Sequence, residues 1–467
     1  MGRAAAAPPA SPGELRQQVR LATPLALQQV GLVTMSLVDT AILGRYHADA
    51  MAGAGIGNGL TFAVTCLGVG LALGLDPLIA QALGAGERAR TAALLRDGLA
   101  VVVRWGAALT LVLLATPWLL TLAAVEPAVA DEARVYVFAR AAGVVPFLAQ
   151  IALRSFLQAH GHTRPLVVAV IVGNVINAGL DWLLVMGDDG LAAVGLPAVG
   201  LPALGALGAA LVTSLVTLGT VAYYARAAGA IARGLGPAPA APRATADVVR
   251  LGLPIGLQLF AEVAAFALAA VLAGRMGATP AAAHQVAIQL ASVPFSVTLG
   301  IGAAAAVRVG LAIGAGDHRA ARHAGLVSLG LGAAVMSTSA AIFVVAAAPL
   351  AGLFTDEAVV IAAAIPLVQI AAFFQLSDGA QAVAAGALRG AGDTRAAFVA
   401  NLLGHYLVGL PVALGLGFAA GLGAPGLWWG LVAGLTGTAI ALIARFVWLT
   451  ARPVARAQTT APPAAGG

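Results

Sequence analysis

Charged residues are scarce in this sequence. Asp, Glu, Lys and Arg together make up 9% of its 467 residues, whereas hydrophobic residues make up 60% and the mean hydropathy is +0.95. Soluble globular domains carry about 25% charged residues, so this composition excludes a soluble globular domain. Lysine is absent, and every basic residue is an arginine. The scarcity of charge points to a chain that lies largely within a membrane.

Two further observations narrow the class of protein. The single cysteine, Cys66, lies in an apolar run, which excludes a disulfide framework. The net charge of +6 comes from arginines whose placement follows membrane topology, so we predict no nucleic-acid partner. Transmembrane barrels alternate apolar and polar residues, whereas the apolar runs of this chain are continuous. The sequence therefore predicts an all-α polytopic membrane protein.

Long apolar runs recur along the chain, each long enough to cross a bilayer, because about 20 apolar residues span roughly 30 Å. Twelve are predicted, at residues 21–44, 57–82, 98–121, 134–157, 165–187, 204–226, 249–274, 284–313, 324–348, 360–386, 396–419 and 426–449. Only four of the 25 arginines fall toward one side of this arrangement: Arg45, Arg134, Arg140 and Arg275. The positive-inside rule makes the arginine-rich side cytoplasmic. We therefore expect a multi-pass protein of a bacterial inner membrane with both termini in the cytoplasm.

The chain also contains an internal repeat. The shift along the chain that places Pro24 on Pro254 also places the motif GAGE of residues 84–87 on GAGD of residues 314–317. Six helices are an even number, so both copies enter the membrane in the same orientation, as parallel repeats that enclose a central cleft. The predicted divisions are a cytoplasmic N-terminal segment (1–20), an N-lobe (21–226), a cytoplasmic linker (227–248), a C-lobe (249–450) and a disordered tail (451–467).

Two acidic residues of the first half lie at similar depth. Asp39 is about six residues from the end of its helix and Asp181 about seven, which places both roughly 10 Å below the same surface. Asn174, Asn177 and Asp181 share one helix face, and Thr213 can supply a hydroxyl to Asp39. Oxygen ligands of this kind suit Na⁺ or a proton. The alternative for the two asparagines is hydrogen bonding between helices.

The second half places its acids deeper. Glu262 and Asp378 are each about eleven or twelve residues from a helix end, near mid-depth, where they can share a second site. Apolar, amide and acidic side chains together suit an organic cation. The predicted lining of the substrate cleft is Gln28, Asn174, Gln258, Phe260, Phe266 and Gln375. Asp76 and Arg308 lie near matching positions of the two halves, and we predict a structural or gating ion pair there.

Several stretches resemble the multidrug and toxic compound extrusion (MATE) family. They are TPLALQQVGLVTMSLVDTAILGR, LIAQALGAGE, PIGLQLFAEVAAF and FFQLSDGAQAVAAGALRGAGDTR. The resemblance covers nearly all of residues 15–450, and the AEV and QLSDGAQ patches are most similar to the norfloxacin-efflux branch. It implies export of cationic amphiphiles driven by inward Na⁺ or H⁺.

The resemblance also implies roles for particular residues. Glu262 and Asp378 match the C-lobe cation-binding acids, and Asp356 matches an acid implicated in some members. Pro24 matches a helix-1 proline whose kink is linked to coupling. The residues that match the N-lobe cation site, best described in the DNA-damage-inducible branch, are Asp39, Asn177, Asp181 and Thr213.

The leading hypothesis is a secondary antiporter whose two lobes alternate access to the cleft. We expect no cofactor beyond the coupling ion, small organic cations and membrane lipid as partners, and a monomer. One alternative is a lipid-linked oligosaccharide flippase, whose pyrophosphate substrate requires a basic cavity. Another is an intramembrane enzyme, against which stands the lack of H-E-x-x-H and G-x-S-x-G motifs.

Overall fold

The structure, a computed structural model, describes residues 13–122, 125–237 and 244–457. These residues form helices and connecting loops and contain no β-strand. Twelve of the helices in these ranges are long and apolar enough to cross a membrane. They are α1 (Glu14–Tyr46), α2 (Ala48–Gly84), α3 (Arg88–Leu120), α4 (Pro127–Ala159), α5 (Arg164–Met186), α6 (Gly205–Arg233), α7 (Ala244–Arg275), α8 (Ala278–Gly314), α9 (His318–Val345), α10 (Ala358–Ala391), α11 (Thr394–Ala419) and α12 (Ala424–Thr450). The predicted all-α fold with twelve spans is confirmed.

Three of these spans are interrupted. Helix α2 is interrupted at Gly74, and α3 is regular over Arg88–Ala115 before a break at Thr116 and a short helix at Pro117–Leu122. Helix α11 widens twice into π-helix, at Leu403–Gly409 and Gly415–Ala419. Such widened turns are frequent at functional sites.

The connections differ from the predicted divisions. Helix α6 ends at Arg233 and α7 begins at Ala244, so both helices extend into the predicted linker. Part of the tail that we predict to be disordered, residues 451–457, instead contacts the helices: Arg456 donates to Glu87 at 2.8 Å, and the backbone N–H of Ala457 donates to Gln81 at 2.7 Å. The predictions for residues 1–12, 238–243 and 458–467 lie outside the described residues.

The helix boundaries reproduce the internal repeat. The starts of α1 and α7 are separated by the repeat shift (244 − 14), and so are the starts of α3 and α9 (318 − 88). Gly86 and Gly316 follow α2 and α8, and each has φ of +79°. Glycine adopts this left-handed conformation without the steric penalty of a side chain, so the repeated GAG motif ends both helices in the same turn.

The packing of the helices follows the same symmetry. Within the first half α2 packs on α4, α4 on α6 and α1 on α5; α8–α10, α10–α12 and α7–α11 repeat these contacts. Across the halves α1 packs on α8, and α2 packs on α7. At the second contact a side-chain carbon on Gly70 would clash with the backbone nitrogen of Gly256, and one on Gly256 would lie 2.8 Å from the Cα atom of Leu67, so neither glycine has room for one.

Polar contacts join the two halves on one side of the membrane, which we call the terminal side because α1 begins and α12 ends there. Gln81 donates to the backbone carbonyl of Gly390 at 2.9 Å, and Gln18 donates to that of Ile301. In the part of the chain that the structure describes, the side-chain hydrogen bonds and ion pairs found between the halves all lie toward this side. The cleft is therefore closed on the terminal side.

Ion pairs are found at Asp76 and Arg308, although these two residues have different partners. Asp76 is buried, lies 3.3 Å from the Nε atom of Arg389, and accepts a hydrogen bond from Gln158 at 2.9 Å. Arg308 donates to Glu14 at 3.0 Å. Each pair joins one half to the other on the terminal side.

Asp188 closes the loop between α5 and α6. Its carboxylate accepts the backbone N–H groups of Val199, Gly200 and Leu201 at 3.0 to 3.1 Å. The bonds from Val199 and Leu201, more than that from Gly200, hold the pKa of Asp188 below its ordinary value, because they stabilise the charged form.

We expect the Asp188→Asn substitution to open this loop. The change removes acceptor capacity, so the amides of residues 199–201 should exchange hydrogen faster at neutral pH. In the wild-type protein the stabilisation is present above the pKa of the unfolded form, and it is lost as pH falls through the lowered pKa of the folded form. Hydrogen-exchange mass spectrometry of this loop measures both effects. Asp189→Asn, which changes a neighbouring exposed carboxylate, should have no effect.

Candidate functional site

Three helices of the first half bring four predicted residues together. Asp39 comes from α1, Asn177 and Asp181 from α5, and Thr213 from α6. Asn177 donates to Asp181 at 2.9 Å, and Thr213 donates to Asp39 at 3.3 Å. The two carboxyl groups lie within hydrogen-bonding distance of each other. These four residues form what we call the N-site.

The N-site contains more acceptors than donors. One side-chain oxygen on each of Asp39, Asn177 and Asp181 is buried and has no hydrogen-bond partner. Buried acceptors without a donor are costly, and two adjacent carboxylates in a low dielectric repel each other. A proton held between the carboxyls, or a Na⁺ bound by the three oxygens, would relieve both costs. The arrangement is chemically suited to a small hard cation.

Arg140 of α4 is a charged residue that the sequence reasoning did not assign to this site. It lies close enough to Asp39 for electrostatic interaction and contacts the hydroxyl of Tyr136, one turn earlier. Its Nε and Nη1 atoms are buried without hydrogen-bond partners. Its guanidinium group offsets part of the negative charge of the N-site. The available signal was its position, because Arg140 is one of the four arginines on the arginine-poor side.

Asn174 and Gln28 lie away from the N-site carboxyls. Asn174 donates to the carbonyl of Gly31 on α1 at 3.0 Å, which matches the alternative of a bond between helices. Gln28 is buried and donates to the hydroxyl of Tyr224 at 3.3 Å. Together with Gln150 it lines a small, mostly apolar cavity among α1, α4, α5 and α6.

The second half forms a corresponding group from α7, α10 and α11. Glu262 accepts hydrogen bonds from Gln381 and Asn401, both at 3.3 Å. Asp378 is buried within electrostatic range of Glu262, and its Oδ1 atom has no donor. The structure therefore brings the two predicted acids together. We call Glu262, Asp378, Gln381 and Asn401 the C-site.

Aromatic residues border the C-site on one side. Phe266 packs edge-on against Phe374 at 6.0 Å and against His405 at 6.1 Å between ring centroids. Phe260 does not belong to this group: it precedes Glu262 by two residues, lies on a different face of α7, and is 47% exposed. Of the two phenylalanines predicted to line the substrate cleft, Phe266 borders the C-site and Phe260 does not.

Two predicted amides of the second half are buried. Gln258 lies on α7, one turn before Glu262. Gln375 lies one turn before Asp378, and both polar atoms of its amide lack partners. An unsatisfied buried amide beside an acid is suited to contact a bound polar ligand.

Gln381, Asn401 and Tyr406 were missed by the sequence reasoning. Gln381 lies three residues after Asp378 and therefore on the same helix face. The sequence spacing could have predicted it as a neighbour of this acid. Asn401 lies in the regular first part of α11, just before the π-helical stretch, whereas Tyr406 lies within that stretch. The hydroxyl of Tyr406 donates to the carbonyl of Ala261 at 2.8 Å. Sequence spacing assumes regular helix, so it gives no register across this widened stretch.

Two other predicted residues lie outside both sites. Asp356 is exposed in the loop between α9 and α10. Pro24 lies within α1, about four helical turns before Asp39, and the helix continues through it. Pro24 removes a backbone donor from the turn before Gln28, so it weakens α1 locally.

The two sites lie at different depths. Asp39 is seven residues from the end of α1 (46 − 39), whereas Glu262 is thirteen from the end of α7 (275 − 262). At 1.5 Å per residue these spacings are about 10 Å and about 20 Å. The N-site therefore lies closer than the C-site to the side opposite the terminal side.

The MatE family profile matches the chain twice, over residues 24–183 and 254–414. The starts of the two matches are separated by the shift of the internal repeat (254 − 24). "Probable multidrug resistance protein NorM" from Pseudomonas putida is 36% identical over 462 residues, covering 95% of this chain and 96% of the relative. "Multidrug resistance protein NorM" from Burkholderia vietnamiensis is 35% identical over 453 residues, covering 95% and 96%.

Solved structures share the fold. The eukaryotic MATE transporter AtDTX14 has a TM-score of 0.83 at 21% identity, covering 95% of this chain and 99% of that one. A MOP superfamily transporter from Pyrococcus furiosus has a TM-score of 0.83 at 18% identity, covering 94% and 97%. At these identities the likeness shows the fold alone.

Proposed function

The chain belongs to the MatE family, and we propose that this multi-pass inner-membrane transporter is a secondary antiporter that exports cationic amphiphilic compounds in exchange for inward Na⁺ or H⁺. Its relatives are named as multidrug resistance proteins, and its structural neighbours as transporters. We propose that the terminal side is cytoplasmic, in agreement with the arginine distribution. The protein acts as a transporter and not as an enzyme.

The observation that carries this proposal is the set of buried acidic and amide oxygens without donors. The N-site presents three such oxygens, and the C-site presents at least one on Asp378 and one on Asn401. Ionisable residues inside a membrane are expensive and mark ion or substrate pathways. Both sites are acidic, so both suit positively charged ligands.

We propose that the N-site binds the coupling ion and that the C-site binds the organic cation. The N-site is small and lined by oxygens, as a dehydrated Na⁺ or a proton requires. The C-site has aromatic rings at Phe266 and Phe374 that can pack against an apolar cation. Ion binding favours one arrangement of the two halves and drug binding favours the other, so inward ion flow drives drug release.

The flippase alternative fits the charges less well. A lipid-linked pyrophosphate needs basic groups along its path, whereas Asp39, Asp181, Glu262 and Asp378 place acids there. The Pyrococcus furiosus transporter is described as having a binding pocket of reverse polarity, which suggests a different function for that protein. The acidic polarity of both sites in this chain supports export of cations.

Efflux from proteoliposomes tests the proposal. The purified protein is reconstituted, loaded with a fluorescent organic cation, and given first an imposed Na⁺ gradient and then an imposed pH gradient. Efflux driven by one gradient alone identifies the coupling ion. The absence of efflux under both gradients, with the protein correctly inserted, would refute the antiporter proposal.

We expect the Glu262→Gln substitution to weaken binding of the organic cation by about tenfold to a hundredfold. The change removes the negative charge but keeps a side-chain oxygen that can accept the hydrogen bonds from Gln381 and Asn401. A contact to a charged group contributes about 1.5–3 kcal/mol to the binding free energy. Binding of a lipophilic phosphonium cation to purified protein measures this loss. Glu357→Gln, at an exposed loop position, is the control. Unchanged affinity in Glu262→Gln would remove Glu262 from the cation site.

A further inference from the structure

A basic cavity lies on the terminal side of the second half, away from both sites described above. It forms where α9 begins beside the end of α12 and has a volume of about 400 Å³. The residues that line it are His318, Arg319, Arg322, His323, Leu326, Thr450 and Ala451. Two arginines and two histidines thus meet around one cavity, with no acidic residue in its lining.

The arginines of this cavity are not neutralised by acidic side chains. All 19 acidic residues of the sequence lie in the described residues, and none forms an ion pair with Arg319 or Arg322. The neighbouring acid, Asp317, accepts the backbone N–H of Ala320 at 2.8 Å and caps the helix. The cavity therefore keeps a net positive charge.

The corresponding place in the first half lacks this pair of arginines. The shift of the internal repeat puts Arg319 and Arg322 on Ala89 and Ala92 of α3. The nearby Arg90 is neutralised by Glu87 at 2.9 Å. Arg88, which takes the place of His318, also forms no ion pair among the described residues, but Arg319 and Arg322 have no arginine counterpart on α3.

The surroundings of the cavity place it at the membrane surface. Trp448 of α12 is exposed, and the guanidinium groups of Arg445 and Arg452 lie 4.7 Å and 5.5 Å from its ring centroid. Tryptophan concentrates at the level of the lipid headgroups. One turn deeper on α9, the exposed Leu326 gives the cavity an apolar edge toward the lipid tails.

We propose that this cavity binds a phosphate group, supplied by an anionic lipid headgroup or by free phosphate. Guanidinium groups bind phosphate oxygens with paired hydrogen bonds, which suits the unpaired Arg319 and Arg322. Basic pockets between the ends of membrane helices recognise anionic headgroups. A ligand held between α9 and α12 would tie together two helices of the second half on the side where the halves close.

The test compares ligands on purified full-length protein in a neutral detergent. Thermal unfolding is followed with added phosphatidylglycerol, with phosphatidylcholine of the same chain length, and with inorganic phosphate. The test variant is Arg319→Gln with Arg322→Gln. The matched control is Arg226→Gln with Arg233→Gln, which removes the same charge from positions at the terminal-side end of α6.

We expect phosphatidylglycerol to raise the unfolding temperature of the wild type and of the control variant, and to have at least a severalfold smaller effect on the test variant. A rise with phosphatidylglycerol alone identifies the lipid headgroup as the source, and an equal rise with inorganic phosphate identifies free phosphate. The proposal is overturned if neither phosphate ligand raises the temperature, if phosphatidylcholine acts equally, or if both double variants lose the effect equally.

Discussion

The Asp39→Asn substitution is expected to abolish drug resistance in cells while leaving the protein in the membrane at the wild-type level. The N-site loses one of its two carboxylates, and with it the charge that would bind the coupling ion. Asparagine still accepts the hydrogen bond from Thr213, so the local structure is retained. The expected loss of ion affinity is about tenfold to a hundredfold, from a charged contact of about 1.5–3 kcal/mol.

The growth of cells that express each variant is measured against a range of drug concentrations, with surface expression quantified in parallel. Asp189→Asn is the matched control, because it makes the same chemical change at an exposed loop position. Full resistance in Asp39→Asn cells at equal expression would show that Asp39 has no role in coupling. A second readout, Na⁺-dependent or pH-dependent quenching of tryptophan fluorescence, should be lost in Asp39→Asn alone.

The Asp76→Asn substitution is expected to lower the unfolding temperature more than the loss of any exposed ion pair. Asp76 is buried between the halves, and its removal leaves the positive charge of Arg389 without its partner. Breaking a buried pair by removing one member costs about 3–5 kcal/mol. Thermal unfolding of purified protein in detergent measures the effect.

Two variants distinguish this explanation from general damage. Glu87→Gln breaks the more exposed pairs with Arg90 and Arg456, each worth at most about 1 kcal/mol. Adding Arg389→Gln to Asp76→Asn removes the uncompensated charge, so the double variant should recover part of the stability. Arg389→Gln alone is measured as well. If it destabilises the Asp76→Asn variant by as much as it destabilises the wild type, the two residues are not coupled.

Much of the fold follows from sequence pattern. The number and order of the helices follow from long apolar runs, and the repeat follows from a constant shift between the two halves. Each of these features can be read from the sequence without knowing which helices are neighbours. The pairs Asp39–Asp181 and Glu262–Asp378 were predictable because a regular helix converts sequence position into depth and face. Thr213 was assigned to the N-site by resemblance to a family, and the structure places its hydroxyl on Asp39.

Other features depend on which helices are neighbours, and the spacing of residues along the sequence does not give that information. Arg389 could be matched with Asp76 only once α10 was known to approach α2. Arg140 reaches the N-site across a helix contact, and Asn401 reaches the C-site across the contact between α11 and α7. Phe260 was predicted beside Glu262 from its proximity in sequence, but two residues along a helix point in nearly opposite directions.

The shallow position of the N-site has a consequence for the electrical behaviour of the transporter. With the cytoplasm on the terminal side, as we propose, and with the end of α1 set at the outer edge of a hydrocarbon core about 30 Å thick, Asp39 lies about 10 Å into that core. One elementary charge crossing the whole membrane changes in energy by about 2.3 kcal/mol per 100 mV. An ion that reaches Asp39 from outside therefore crosses about a third of the field, worth about 0.8 kcal/mol at that potential. The remaining two thirds act on its release to the cytoplasm, so the membrane potential favours unloading of the ion more than its capture.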